Sequence, residues 1–203
     1  SAMGVDAKSV KELREKTGLP MMECKRALVD ADGNVDQAYE NLRKAGLKAV
    51  EKLAGRTASD GKVAARLGGD GKSGVLVTLR CETEPVAKNE KFLALLDNLA
   101  ELIERESPAD ETALKALALP SGETVEQAVT ELVNQIRENI NLGSFSQLAA
   151  DAVVQYVHFD GKKAAMVALE GGSVSDPKVA EAGKDVCMHI VFEQPAALAR
   201  DEP

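Results

Sequence analysis

The stretch Val63-Ala-Ala-Arg-Leu67-Gly-Gly-Asp70-Gly71-Lys72-Ser-Gly-Val75-Leu76-Val77-Thr-Leu79 aligns without a gap on Val153-Val-Gln-Tyr-Val157-His-Phe-Asp160-Gly161-Lys162-Lys-Ala-Ala165-Met166-Val167-Ala-Leu169, at an offset of 90 residues. Each copy is two apolar runs joined at Asp-Gly, the strongest short-range mark of a β-hairpin. Glycine supplies the positive φ that so tight a turn requires. A hairpin repeated in this way leaves an apolar sheet face that neither copy can bury alone. The two faces must pack against helices or against each other.

A helical pattern follows each hairpin. After the first, Phe92, Leu95, Leu96, Leu99 and Ile103 fall on one face. After the second, Val179, Val186 and Ile190 form a weaker stripe starting at Asp176-Pro177. A Pro/Ser/Gly-containing connection over residues 106–123 separates the copies, and Thr124 and Gln127 then open a helix at capping-box spacing. Its stripe is Val125, Ala128, Val129, Leu132, Ile136 and Ile140. Ahead of the repeat, residues 6–46 read as three short helices. Val10, Leu13 and Thr17 line the first, which stops at Gly18. Met21, Cys24, Ala27, Leu28 and Ala31 line the second, which starts near Pro20. Val35, Ala38, Tyr39 and Leu42 line the third, from Asn34 as N-cap to Gly46. The reading is an α+β chain: a three-helix domain over 5–46, a basic helical linker over 47–60, and core subdomains over 61–124 and 125–203.

Charge narrows the function. Residues 5–56 carry 11 Lys/Arg against 9 Asp/Glu, while the whole 203-residue chain has net charge −8 and is 3% aromatic. An acidic chain this poor in stacking side chains suits no direct nucleic-acid partner, and the N-terminal lysines read as a solvated helix face. No apolar run approaches the ~18 residues of a membrane span, so no membrane partner is expected. Three widely spaced cysteines, Cys24, Cys81 and Cys187, imply neither a disulfide framework nor a zinc knuckle, which makes a reduced, cytosolic chain the default. Ser1-Ala-Met-Gly4 reads as a remnant of expression cloning. There is no Walker-type phosphate loop. His158 falls in a strand and His189 in a late helix, with Cys187 about 200° away from His189 around that helix. Glu82 and Glu84 alternate at a strand end as a solvated edge would. Binding fits better than catalysis, and no catalytic residue, metal or cofactor is expected.

Longer motifs carry a resemblance. The run Val10-Lys-Glu-Leu-Arg14-Glu-Lys-Thr17-Gly18-Leu-Pro-Met21-Met22-Glu23-Cys24-Lys25-Arg26-Ala27-Leu28 resembles the N-terminal signature of the translation elongation factor Ts family. Asp32-Gly33-Asn34-Val35-Asp36-Gln-Ala38 and Arg43-Lys44-Ala-Gly46 fit the same family. Cys81-Glu-Thr83-Glu84-Pro85-Val86-Ala87-Lys88-Asn89 is similar to its Thr-Asp-Phe-Val-Ala-Lys motif, and Glu138-Asn139-Ile140-Asn141 and Cys187-Met188-His189 to shorter ones. The resemblance runs in family order from about residue 8 to 195.

The resemblance implies a cytoplasmic guanine nucleotide exchange factor for elongation factor Tu, without chemistry or cofactor of its own. A ubiquitin-associated-like three-helix domain and a duplicated core would grip Tu in its GDP-bound and nucleotide-free forms and loosen GDP and Mg²⁺. Carried over by position, Arg14, Met21, Met22 and Lys25 would contact a helix of the Tu nucleotide domain. Glu84, Pro85, Val86, Ala87 and Lys88 would stand where the family's intruding motif approaches the Mg²⁺ side of the nucleotide. His158 would lie near the face that meets a β-domain of Tu. Helical spacing cannot place Met21 and Met22 on the same inner stripe, so at least one is expected to face a partner. A homodimer stays open.

Two departures matter. Glu84 stands where the family has aspartate, and Pro85 where it has the intruding phenylalanine. Proline inserts no aromatic ring, while its φ suits the first turn of a helix with Thr83 as N-cap. Two readings therefore stay open: an exchange factor, or a Tu-binding paralogue or interaction module without exchange activity.

Overall fold

The computed structural model describes residues 5–195, so the expected cloning remnant at Ser1–Gly4 and residues 196–203 of the expected last subdomain lie outside the described residues. The elements run α1 (Ala7–Thr17), α2 (Met21–Asp30), α3 (Val35–Leu53), β1 (Asp60–Leu67), β2 (Ser73–Cys81), α4 (Glu84–Ala87), α5 (Glu90–Glu106), α6 (Glu111–Ala116), α7 (Val125–Ile136), β3 (Asn141–Ala149), β4 (Ala152–Val157), β5 (Ala164–Leu169) and α8 (Pro177–Glu193). This is the α+β architecture that the sequence reading leads to.

Local chemistry explains the N-terminal helices. Asp6 accepts the Ser9 N–H at 2.6 Å to open α1, and Gly18, at φ +64°, closes it by donating to Arg14 O. Asn34 accepts the Gln37 N–H to open α3. Val10, Leu13, Leu19, Cys24, Ala27, Leu28 and Ala38 bury together as a small separate core. The expected end of α3 at Gly46 is not observed. The helix continues to Leu53, so the 47–60 linker is helical only for its first half. A Cβ on Gly46 would lie 3.1 Å from Asn134 Nδ2 of α7, so the bare glycine lets the two helices approach closely. Continuing the helix then buries Leu53, with Val50 packed beside it, in the main core. That burial outweighs the ~1 kcal/mol a mid-helix glycine costs.

β1 and β2 form the first hairpin, in antiparallel register Ala64↔Val77, and β4 and β5 form the second, in register Val154↔Val167. The two turns are built alike. Gly68 N–H donates to Ser73 O and Gly71 N–H to Gly68 O; 90 positions on, His158 donates to Lys163 O and Gly161 to His158 O. Gly71 and Gly161 sit at φ +70° and +68°. Each turn then docks on the other copy. Val63 N–H donates to Gly161 O at 2.8 Å, and the equivalent Val153 N–H donates to Gly71 O at 2.7 Å. Val75, Val77, Leu79 and Cys81 of β2 bury against Phe92, Leu95, Leu96, Leu99 and Ile103 of α5 and against α7.

Four readings need correction. Residues 141–149 form a third strand paired with β2, in the order β1-β2-β3. This strand lacks clean apolar alternation because its register shifts opposite Val77 and Leu79, where Gly143 passes close to Thr78. Ile140 lies beyond α7, which ends where Arg137 takes φ +67°. Residues 106–123 contain α6, opened by the Asp110 cap. On α8 the buried positions are Gly183, Cys187 and Val191, whereas Val186 is 47% exposed. The β4–β5 sheet lies too close for larger side chains there, so glycine sets the contacting face and apolar periodicity does not.

That closeness is testable. A Cβ on Gly183 would fall 2.6 Å from Val154 Cγ2. Gly183→Ala gains up to ~1 kcal/mol in helix propensity but overpacks the contact at a cost of about 1–3 kcal/mol. The expected result is a net loss of stability in urea denaturation, relieved by adding Val154→Ala; a gain would mean that the α8–β4 spacing relaxes freely.

Candidate functional site

The residues singled out from the sequence fall in three places. The first is the outer face of α2. Cys24, Ala27 and Leu28 point inward, which turns Met21 and Met22 out, at 54% and 61% exposure. Met21 thus leaves the inner stripe assigned to it, because Pro20 precedes the helix as its N-cap and the buried face begins only at Cys24. Lys25, Arg26 and Val29 share this outer surface, and Arg14 is exposed on α1. Val29, 54% exposed, is an addition that inward-looking periodicity could not flag. Flexible, polarizable methionines flanked by cations suit a protein-contacting surface.

The second place is α4, a single turn following β2. Glu84, Pro85 and Lys88 are exposed, Val86 is half-buried and Ala87 is fully buried in the main core. Ala87 therefore anchors the turn. Lys88 Nζ lies 2.9 Å from Glu84 Oε1 and holds that carboxyl below its usual range. Thr83 occupies the N-cap position, yet its side chain makes no capping bond. Its hydroxyl donates instead to Glu138 Oε1 at 2.6 Å, and Glu138 Oε2 accepts the backbone N–H groups of Glu82 and Thr83, both at 3.1 Å. Glu82 answers by accepting the Asn139 N–H at 2.6 Å, with Arg56 3.6 Å from the same oxygen. Glu82 is thus a structural acceptor and not part of a solvated edge. Beneath the turn, burial and the Glu138 charge push the Cys81 thiol up to about 11, which keeps it an unreactive thiol.

The third place surrounds His158, which lies just past the end of β4, in the hairpin turn. Its Nδ1 is 3.0 Å from the Tyr156 hydroxyl. Its ring meets Phe159 at 4.5 Å between centroids and Phe192 edge-on at 5.4 Å. Phe159 is 92% exposed and Phe192 57%. Both were missed in the sequence. For Phe159 the signal was there in Leu67-Gly68-Gly69 against Val157-His158-Phe159, where the second copy puts the His158 and Phe159 rings on a turn that two glycines build equally well; Phe192, on α8, had no such signal. The turn next to them carries Lys162, whose Nζ reaches Asp60 at 3.2 Å and whose charge also bears on Glu84. The second and third places therefore lie in electrostatic reach of one another.

A cleft of about 470 Å³ runs between α3 and α7, lined by Tyr39, Leu42, Arg43, Thr130, Glu131 and Asn134 among others, and by none of the candidate site residues singled out from the sequence. In it, burial and the neighbouring Glu123 carboxyl push Glu131 up to about 7. Gln135 donates to Glu131 Oε1 at 3.0 Å and to Thr17 O at 2.8 Å, and accepts from Lys91 Nζ, joining the N-terminal helices to α7. Among the described residues no group of three or more His, Cys, Asp or Glu side chains is placed to hold a metal ion, and no helix is long and apolar enough to cross a membrane.

Comparison with known proteins identifies relatives of the chain. Residues 82–202 match the family model described as Elongation factor TS. Over 98% of its length the chain is 43% identical to elongation factor Ts of Alkalilimnicola ehrlichii and 46% identical to that of Aromatoleum aromaticum. It spans 66% and 65% of those proteins, just under two thirds. It is 39% identical to elongation factor Ts of Arthrospira platensis, of which it covers 78%.

The raised Glu131 makes stability depend on pH in a definite direction. A free glutamate releases its proton near 4.5, whereas folded Glu131 keeps it up to about 7. Between those values the folded chain binds more protons than the unfolded one, so this group's contribution falls as pH rises from about 4.5 to about 7. Glu131→Gln is expected to raise the thermal midpoint relative to wild type at pH 8 and to leave it nearly unchanged at pH 4.5. Equal shifts at both pH values would remove Glu131 as the cause.

Proposed function

The chain belongs to the elongation factor Ts family, and on that premise we propose that it is a guanine nucleotide exchange factor for elongation factor Tu. It acts in the cytoplasm during translation elongation by binding, and it breaks and makes no covalent bond itself. It takes up Tu·GDP, holds the nucleotide-free GTPase more tightly than the GDP-bound form, and by linkage weakens GDP by the same factor.

The observation that carries this reading is α4: a short turn with exposed Glu84, Pro85 and Lys88, anchored from below by buried Ala87 and clamped at its start by Glu138. A rigid projection of this kind can perturb a nucleotide site without yielding to it. Met21, Met22, Lys25 and Arg14 serve as the grip on the Tu nucleotide domain. His158, with Phe159 and Phe192, serves as the grip on a β-domain of Tu. Exposed aromatic and methionine side chains concentrate binding energy in this way.

Pro85 favours a second reading, a Tu-binding relative without exchange activity. It sits in the first turn of α4 with no ring to insert beside Mg²⁺. Release of a fluorescent GDP analogue from Tu separates the two. The exchange reading expects acceleration that saturates with added chain. Binding without acceleration leaves the second reading, and Pro85→Phe should then restore release. Neither binding nor acceleration refutes both.

The grip itself is checked by Met22→Ala. Hot-spot truncations cost about 1–2 kcal/mol or more, so affinity for nucleotide-free Tu is expected to drop roughly fivefold to thirtyfold. The thermal midpoint should barely move, because the side chain is exposed. Unchanged affinity in a titration would remove the α2 face from the interface.

A further inference from the structure

The segment Arg137–Asn139 touches three parts of the fold that are far apart in the chain. Arg137 Nη2 reaches Glu23 of α2 at 3.0 Å, directly beside Met22. Glu138 accepts the N–H groups of Glu82 and Thr83 and the Thr83 hydroxyl, just ahead of α4. Asn139 Nδ2 donates to Arg56 O at 2.7 Å in the turn after α3, while its own N–H is held by Glu82. The α7 helix ends in the left-handed conformation at Arg137, which swings Glu138 toward β2. A glycine would adopt that conformation with less strain but would carry no side chain to reach Glu23, as Arg137 does.

We propose that Glu138 is a positioning residue: it sets the orientation of α4 toward the partner GTPase, and Arg137 and Asn139 tie the same segment to α2 and the post-α3 turn so that the α2 face and α4 are presented at a fixed spacing. This rests on the exchange reading above. Four residues of helix do not persist alone, and Thr83 does not cap them. Beyond the end of β2 at Cys81, the backbone N–H groups of Glu82 and Thr83 are held by Glu138. A carboxylate taking three donors from the two residues just ahead of the turn is a strong, charge-assisted orienting contact. Glutamine keeps the shape: its amide oxygen can take both N–H donors while its NH₂ donates to the Thr83 hydroxyl. Alanine leaves those donors without an acceptor.

The test compares the wild-type chain with Glu138→Ala and Glu138→Gln in two assays. Amide hydrogen exchange reads the clamp without reference to function. In Glu138→Ala, amides of residues 82–84 and 86–88 should exchange at least about tenfold faster, with the amides of α5 unchanged. Fluorescent-GDP release from Tu reads the consequence. The maximal rate should fall about tenfold or more, with the half-saturating concentration within about threefold of wild type, because the α2 and His158 contacts stay intact. Glu138→Gln should keep at least half of the wild-type rate. Unchanged amide exchange in Glu138→Ala, a maximal rate within twofold of wild type, or equal impairment in both variants would overturn the proposal. If the wild-type chain releases no GDP, the exchange reading fails by itself, and the clamp is decided by the amide exchange alone.

Discussion

Two backbone hydrogen bonds hold the duplicated core in register: Val63 N–H to Gly161 O and Val153 N–H to Gly71 O. Each links the first strand of one hairpin to the turn of the other, at positions equivalent in the repeat. The contact is therefore self-complementary, as a two-fold interface between subunits would be. Singly, such a bond contributes only about 0.5–1.5 kcal/mol. Its importance is geometric. It places each Asp-Gly turn against the first strand of the other copy's hairpin, whose backbone N–H it pairs. The glycines serve this in two ways. They supply the positive φ of the turn, and at Gly71 the missing Cβ leaves room for Val174, which would otherwise stand 2.2 Å away.

The rest of the molecule is arranged around that joint. β2 lies between β1 and β3 and presents Val75, Val77, Leu79 and Cys81 to α5, whose apolar stripe covers them. α7 lies across the same core and receives the N-terminal helices through Gly46, Gln135 and Arg137. The chain segment leaving α7 then turns back to clamp the end of β2. Packing makes the core, and a few charged hydrogen bonds set how the surface turns stand on it. The carboxylate of Glu138, with three donors, is the clearest case.

Some of this was legible residue by residue. Asp70-Gly71 and Asp160-Gly161 specify their turns locally, Thr124 and Gln127 close the capping box, and Phe92 through Ile103 declare a buried helix face. The three-helix start was readable from Asn34 and Gly18 for the same reason: caps act over three or four residues. What could not be read depends on a partner distant in sequence. Gly46 looks like a helix end until Asn134 is seen beside it. Residues 141–149 carry no strand pattern of their own, since β2 supplies their pairing. Met21 belongs to an apolar stripe on spacing alone, and it points outward because the buried face of α2 begins only at Cys24.

Sequence alone therefore determined the duplicated hairpins, the helices that follow them, and the family to which the motifs point, because each rests on contacts between near neighbours or on a long ordered match. Tertiary structure decided which residues reach the surface and how they are held there. It buried Ala87 and exposed Pro85 on the same turn, set the His158 ring against Phe159 and edge-on to Phe192, and turned Glu82 and Glu138 into reciprocal anchors. The physical reason is that exposure and orientation belong to pairs of surfaces brought together by the fold, and a linear pattern records only one member of each pair.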